Sequence, residues 1–123
     1  MDTATPESAR TTHLTGLRNA QLLYQYDTNA GMAVFYPREV GPSGIPGALE
    51  WRCSSGRGVV YSTTEVCPKG KPPYNIALVE MEEGFRMMST VVLDTLADMA
   101  IGMRVQAAFE DIAGTPRVVF RLA

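Results

Sequence analysis

The stretch NIALVEMEEGFRMMSTVVL, residues 75–93, decides the fold. Asn75 to Met81 is a strand-length run of aliphatic residues. Glu82-Glu83-Gly84 supplies a turn whose glycine can take a positive φ, and Phe85 to Leu93 runs back. This is the clearest hairpin in the chain. Upstream of it Leu49, Trp51 and Cys53 alternate with Glu50 and Arg52, and Val59 to Val66 is rich in β-branched residues after the turn Ser54-Ser55-Gly56-Arg57-Gly58. These two segments are expected to pair as a bulged or hairpin-linked unit. Downstream, Asp94 can cap a short helix through Met99, and Arg104 to Asp111 sets Val105, Ala107 and Phe109 against Arg104, Gln106, Ala108 and Glu110. After the turn Ala113-Gly114-Thr115-Pro116, Val118, Phe120 and Leu122 point away from Arg117, Val119 and Arg121. About five strands, short turns, one small helix before the last pair and no βαβ repeat predict a mainly β protein, a Greek-key OB-fold barrel. An immunoglobulin-like sandwich would need roughly seven strands, and no sequence remains to build them.

The barrel takes residues 48–123. Residues 1–24 read as a helical segment, because Thr5 can cap it, Pro6 fits the first helical position, and Leu14, Leu17 and Ala20 share a face that ends near Asn19. From Leu22 to Tyr26 the chain is extended. In residues 25–47 the composition changes: Asp27 to Gly47 holds four glycines and three prolines around Phe35-Tyr36-Pro37-Arg38, which marks a loop or linker.

The 123 residues are 46% hydrophobic and 20% charged, which gives one ordinary globular domain and excludes a disordered tail, a collagen-like fibre and a coiled coil. No run approaches the roughly 20 apolar residues of a membrane helix, and Met1 to Arg10 is polar, so a soluble cytoplasmic protein without membrane contact is expected. The net charge of −2 gives no electrostatic reason for strong nucleic-acid binding. Cys53 and Cys67 are the two cysteines, too few for a disulfide scaffold or a four-thiolate zinc site.

Nucleophilic catalysis would need a Cys or Ser beside a His with a third group to orient it. The single histidine, His13, lies on the N-terminal helix; Cys53 reads as a small core residue beside Trp51, and Cys67 opens a loop. Glu80, Glu82 and Glu83 read as a solvated hairpin tip, and Asp94, Asp98, Glu110 and Asp111 have no spacing that a metal would choose. The chain is therefore expected not to be an enzyme. The loop from Ser54 to Gly58 could offer backbone N–H groups and Arg57 to a phosphate, although no helix follows to strengthen it. Lys69 and Lys71, in a proline-stiffened loop, could meet an acidic partner. A barrel of this type also admits a single-strand or oligonucleotide-binding reading, with Tyr61, Tyr74 and Phe85 as stacking platforms and Arg52, Arg57 and Arg86 as a cationic track, against which the net charge argues.

Several strings occur together and in order: Phe35-Tyr36-Pro37-Arg38, Leu49-Glu50-Trp51, Ser55-Gly56-Arg57-Gly58-Val59-Val60-Tyr61-Ser62, Pro73-Tyr74, Ala77-Leu78-Val79-Glu80, Glu83-Gly84 and Ile101-Gly102-Met103-Arg104-Val105. On these, from about Leu22 to Val105, the chain resembles the acyl-CoA-associated OB-fold family, domain-of-unknown-function family thirty-five. The resemblance implies an N-terminal helix, a rubredoxin-like zinc ribbon over residues 25–47 and an OB barrel. It implies an accessory subunit that docks on a thiolase-type or other acyl-CoA enzyme, the chemistry lying in the partner. Counting from Phe35 and Arg38, the ribbon's two Cys-x-x-Cys knuckles fall on Asp27 and Ala30 and on Gly41 and Gly44, so all four thiolates are missing. The ribbon is therefore expected to be degenerate and zinc-free, held by packing of Val34, Phe35 and Tyr36. No cofactor is expected beyond a CoA thioester shared with the partner, with Arg38, Arg57, Lys69 and Lys71 as its candidate contacts. Trp51 and Tyr61 are expected to be barrel residues or part of a partner seam, and the isolated chain could self-associate through the surface meant for the partner.

Overall fold

In the computed structural model, residues 8–94 and 99–123 are described. Thr5, Pro6 and the helix proposed before Met99 therefore fall wholly or largely outside the described residues. Helix α1, Ala9–Arg18, begins at Ser8, whose extended backbone and side-chain oxygen accept the Thr11 N–H, and it ends at Asn19 as the apolar spacing requires. It buries Ala9, Gly16 and Leu17 and lies against β1 and β8. Gly16 allows this approach, since a Cβ there would stand 2.7 Å from the Leu23 side chain.

Two sheets follow. A three-stranded antiparallel sheet has the order β2-β1-β3, built from β1 Leu23–Asp27, β2 Met32–Val34 and β3 Leu49–Cys53. A five-stranded sheet has the order β6-β5-β4-β7-β8, built from β4 Arg57–Val66, β5 Tyr74–Met81, β6 Arg86–Ser89, β7 Arg104–Ile112 and β8 Thr115–Leu122. It curls until its edges meet. The parallel bridge Val91↔Phe120 joins the chain after β6 to β8, with the Phe120 N–H donating to the Thr90 carbonyl at 2.9 Å and the Val92 N–H to the Phe120 carbonyl at 2.7 Å. Together with β4·β7 pairing this is the OB-fold barrel expected from the sequence.

One pairing differs from expectation. Leu49–Cys53 does not pair with β4; it pairs with β1 in the register Leu23↔Cys53 to Asp27↔Leu49. Both flanks of β4 are taken by β5 and β7, and at Ser54-Ser55-Gly56, where Gly56 has φ +80°, the chain leaves one sheet for the other. A Cβ on Gly56 would sit 2.7 Å from the Gln106 side chain, and the Gly56 carbonyl accepts the Ala107 N–H at 2.8 Å.

The barrel core consists of Val60, Ala77, Val79, Met81, Met87, Val105 and Phe120, with Val91 capping one end and Leu17, Leu22 and Tyr24 reaching it from the helix and ribbon. A stack of rings ties the parts together. Phe35 lies parallel to Phe85 at 5.4 Å, Tyr24 packs on Phe85 at 4.9 Å, and His13 meets Phe35 edge-on at 5.3 Å.

The β7–β8 hairpin turns through Ala113 and Gly114, both at positive φ, +52° and +83°. That conformation costs an alanine about 1 kcal/mol, which asparagine tolerates better. Ala113→Asn is therefore expected to raise stability by about 0.5–1 kcal/mol. A urea midpoint that stays level or falls would contradict the strained turn.

Candidate functional site

The ribbon is organised by two buried side chains of β1. Gln25 donates from Nε2 to the Arg38 carbonyl and accepts the Arg38 N–H at Oε1, both at 2.7 Å. Asp27 is fully buried, and its carboxylate accepts four hydrogen bonds: the N–H groups of Asn29 at 3.0 Å, Ala30 at 2.9 Å and Ser43 at 2.9 Å, and the Ser43 hydroxyl at 3.0 Å. The Ala30 N–H, then the Ser43 N–H, hold its pKa down to about 2 against the opposing effect of burial.

These contacts bear directly on the zinc that a rubredoxin-like ribbon would carry. Of the four knuckle positions, Ala30, Gly41 and Gly44 offer no ligand side chain. The fourth is Asp27, whose two oxygens already bond donors from both knuckle loops. A Cβ on Gly41 would lie 2.5 Å from Asp27 Oδ2, so the carboxylate fills the space between the knuckles. The residues present do not fit zinc, and among the described residues no group of three or more His, Cys, Asp and Glu could hold a metal ion. The expected packing role of Tyr36 also needs correction: Val34 is buried and Phe35 stacks inward, but Tyr36 is exposed, and hydrogen bonds from Gln25 and Asp27 do the holding.

The four candidate cations are not one cluster. Arg57 starts β4, and its guanidinium bonds Glu82 through Nε at 2.8 Å and Nη2 at 3.3 Å, which raises the Arg57 pKa and lowers that of Glu82. Lys69 and Lys71 lie beyond the other end of the ten-residue β4, roughly 30 Å along an extended strand. Arg38 sits in the ribbon, its backbone clasped by Gln25 and its side chain exposed. The hairpin tip is solvated at Glu80 and Glu82, as its charge predicts, but not throughout. Glu83 accepts the Ser54 hydroxyl at 2.6 Å and the Ser55 N–H at 2.8 Å, and so pins the β3–β4 link where the chain changes sheets.

Of the residues named for a nucleic-acid platform, Tyr61 and Tyr74 are exposed and the others are engaged within the fold. Phe85 is buried in the ring stack, Arg52 bonds Glu50 and covers Tyr26 at 3.8 Å, and Arg86 covers Tyr61 at 3.8 Å. Trp51 belongs to the three-stranded sheet, half-buried, and Tyr61 lies on the outside of the barrel. Cys53, expected in the core, is exposed at the end of β3, and both cysteines are free.

His13 is half-buried between α1 and the ribbon, with Nδ1 donating to the Leu23 carbonyl at 3.2 Å. Burial lowers its pKa, the Leu23 bond opposing and Arg10 adding to the effect. The fold thus prefers the neutral ring. Its contribution to stability is full above the ordinary histidine value of 6.5 and declines as pH falls below it. The thermal midpoint should fall between pH 7.5 and pH 5.5, and His13→Gln should flatten that slope; equal slopes would refute the assignment.

Gln25, Asp27 and Asn75, the three buried polar side chains among the described residues, are not marked by the sequence motifs as groups that hold the fold. A signal was present. Asn75 is in phase with Ala77, Val79 and Met81, so a polar group had to face the barrel interior. The outer row of β5 is a second such signal, since Tyr74, Ile76 and Leu78 make that strand apolar on both faces.

With this geometry in hand, residues 51–110 match the family model described as the C-terminal OB-fold domain of ChsH2. The chain is 38% identical over 90 residues to a DUF35 domain-containing scaffold protein of Methanocaldococcus jannaschii, covering 68% of this chain and 64% of that one. It is 47% identical over 67 residues to the 3-oxo-4,17-pregnadiene-20-carboxyl-CoA hydratase alpha subunit of Mycobacterium tuberculosis, covering 51% of this chain and 22% of that one. The chain thus spans less than two thirds of either relative. The Ltp2-ChsH2(DUF35) aldolase structure shares the fold, with a TM-score of 0.80 over 97% of this chain and 98% of that one at 22% identity. So does a DUF35 protein of unknown function from Sulfolobus solfataricus, with a TM-score of 0.67 over 94% and 85% at 13% identity. Barrel closure, N-terminal helix, ribbon sheet and matched segments agree, and together they support the DUF35 OB-fold family for this chain.

Proposed function

We propose that this protein is a non-catalytic accessory subunit that docks on a thiolase-type or other acyl-CoA enzyme. The observation that carries the reading is the match of residues 51–110 to the OB-fold domain of ChsH2, a protein whose name in a solved structure is joined to Ltp2 in an aldolase. The relative described as a scaffold protein supports the same role. The side chains agree: the one histidine donates to the Leu23 carbonyl under α1, and the two cysteines are exposed, with the Ser54 carbonyl and Glu65 as their hydrogen-bond acceptors. A CoA thioester would be met in the company of the partner. Of the four candidate cations, Arg38, Lys69 and Lys71 are left to meet its phosphates, Arg57 being held by Glu82.

Co-purification of the full chain with identification and stoichiometry of what accompanies it tests the reading. A thiolase-fold protein in constant ratio is the expected result. A chain that runs alone and binds single-stranded oligonucleotides with steep salt dependence would overturn it in favour of the nucleic-acid reading.

A further inference from the structure

The outward rows of the barrel follow from its register. Val79, Ala77 and Met81 are buried, so their neighbours Tyr74, Ile76 and Leu78 on β5 face out. Leu78 pairs with Met88 of β6, and Ile76 with Thr64 and Tyr74 with Val66 of β4. The register shift between Val60 and Ser62 frees Tyr61 to join the same side, where Arg86 covers its ring. Met88 is 60% exposed, and Tyr61 and Tyr74 are each 47% exposed. Val59 extends the row next to the Glu80–Arg86 ion pair. A strand apolar on both faces is the pattern of a strand covered on both faces, yet here one side of β5 meets solvent.

We infer that the outer face of β4, β5 and β6, centred on Ile76, Leu78 and Met88, is the docking surface for the folded acyl-CoA enzyme of the accessory-subunit reading, on which this inference rests. Size decides for a protein. Side chains of roughly 150–200 Å² each, at these exposures, leave on the order of 500 Å² of surface from apolar residues, a large share of the ~800 Å² that each partner contributes to a specific interface. Composition decides for a neutral, apolar counterpart. No charge stands among Tyr74, Ile76, Leu78 and Met88; the polar rim is Ser62, Thr64 and the Glu80–Arg86 pair. An open groove of about 1010 Å³ continues the face past Val92 and gives a projecting side chain of the partner somewhere to seat. A phosphate backbone would find two cations there, Arg86 on the face and Arg117 in the groove, paired with Glu80 and Glu110.

The test titrates the co-purifying thiolase-fold protein with the full chain carrying Met88→Glu, Met88→Lys or Ile76→Glu, with Ile45→Glu, an exposed ribbon residue, as the control. These side chains point to solvent, and circular dichroism with a thermal midpoint confirms that each variant is folded. Both charge signs at Met88, and Ile76→Glu, are expected to weaken binding at least tenfold, with Ile45→Glu within twofold of wild type. Equal binding by all variants, or loss in Ile45→Glu alone, would overturn the surface and leave the accessory role standing. Tighter binding of a single-stranded oligonucleotide by Met88→Lys, with the enzyme's affinity unchanged, would make the face a nucleic-acid platform. Failure of the wild-type chain to bind any thiolase-fold protein would bring down the accessory reading itself.

Discussion

Asp27→Ala is expected to lower the thermal midpoint by roughly 10 °C or more, the largest effect of any single substitution in the ribbon. Its carboxylate is the shared acceptor for three N–H groups and one hydroxyl in a place that water does not reach. Removal strands all four donors, and the segments carrying Ala30 and Ser43 lose the group that joins them. Asp27→Asn should do nearly as much harm, because one of its two acceptor oxygens becomes an NH₂ that faces N–H donors. Ser43→Ala, which loses only the hydroxyl contact, should cost much less. With a native pKa of about 2 against an ordinary 3.8, the stabilisation is complete above pH 4 and is lost as pH falls through about 2. Acid unfolding of the wild type should therefore steepen between pH 4 and pH 2, and Asp27→Asn should lack that limb. A chelator should leave the wild-type midpoint unchanged. A midpoint that drops in EDTA would show that a metal, not the carboxylate, ties the knuckles.

Asn75→Ala is expected to destabilise the barrel by about 2–4 kcal/mol in urea unfolding. The amide donates from Nδ2 to the Val91 carbonyl at 2.8 Å and accepts the Val91 N–H at 2.8 Å and the Thr90 hydroxyl at 3.2 Å. In effect the side chain acts as one residue of a strand, and it holds Val91 where Thr90 and Val92 can bond Phe120 and close the barrel. Without it two buried backbone groups lose their partners and the parallel seam loses its anchor. Asn75→Asp should be about as costly, since a carboxylate would face the Val91 carbonyl oxygen. Loss of less than 1 kcal/mol in both variants would mean that the seam closes by packing alone.

How the sequence and the structure divide the work is seen best in β5. Its apolar run, its turn at Glu82-Glu83-Gly84 and its return strand are local, so the hairpin was legible in residues 75–93. So was the barrel, because short alternating strands with no crossover helices leave few other closures. The ends of α1, set by Ser8 and Asn19, lie within a few residues of where apolar spacing and capping place them. The missing ribbon thiolates could be counted from Asp27, Ala30, Gly41 and Gly44.

By itself, then, the sequence determined which segments of the barrel are strands, that they are too short and too local for anything but a small barrel, and that four thiolates are absent; β2, inside the glycine- and proline-rich stretch, was not legible as a strand. Only the tertiary structure decided that Leu49–Cys53 pairs with β1, that Asp27 bonds both knuckle loops, that Glu82 and Glu83 hold Arg57 and the β3–β4 link, and that Tyr74, Ile76 and Met88 stand exposed. The reason is physical. Alternation and turn chemistry are short-range and are fixed by neighbours in the chain, whereas a pairing partner or a buried acceptor is chosen across 15 or more residues by whichever arrangement leaves fewest polar groups unpaired.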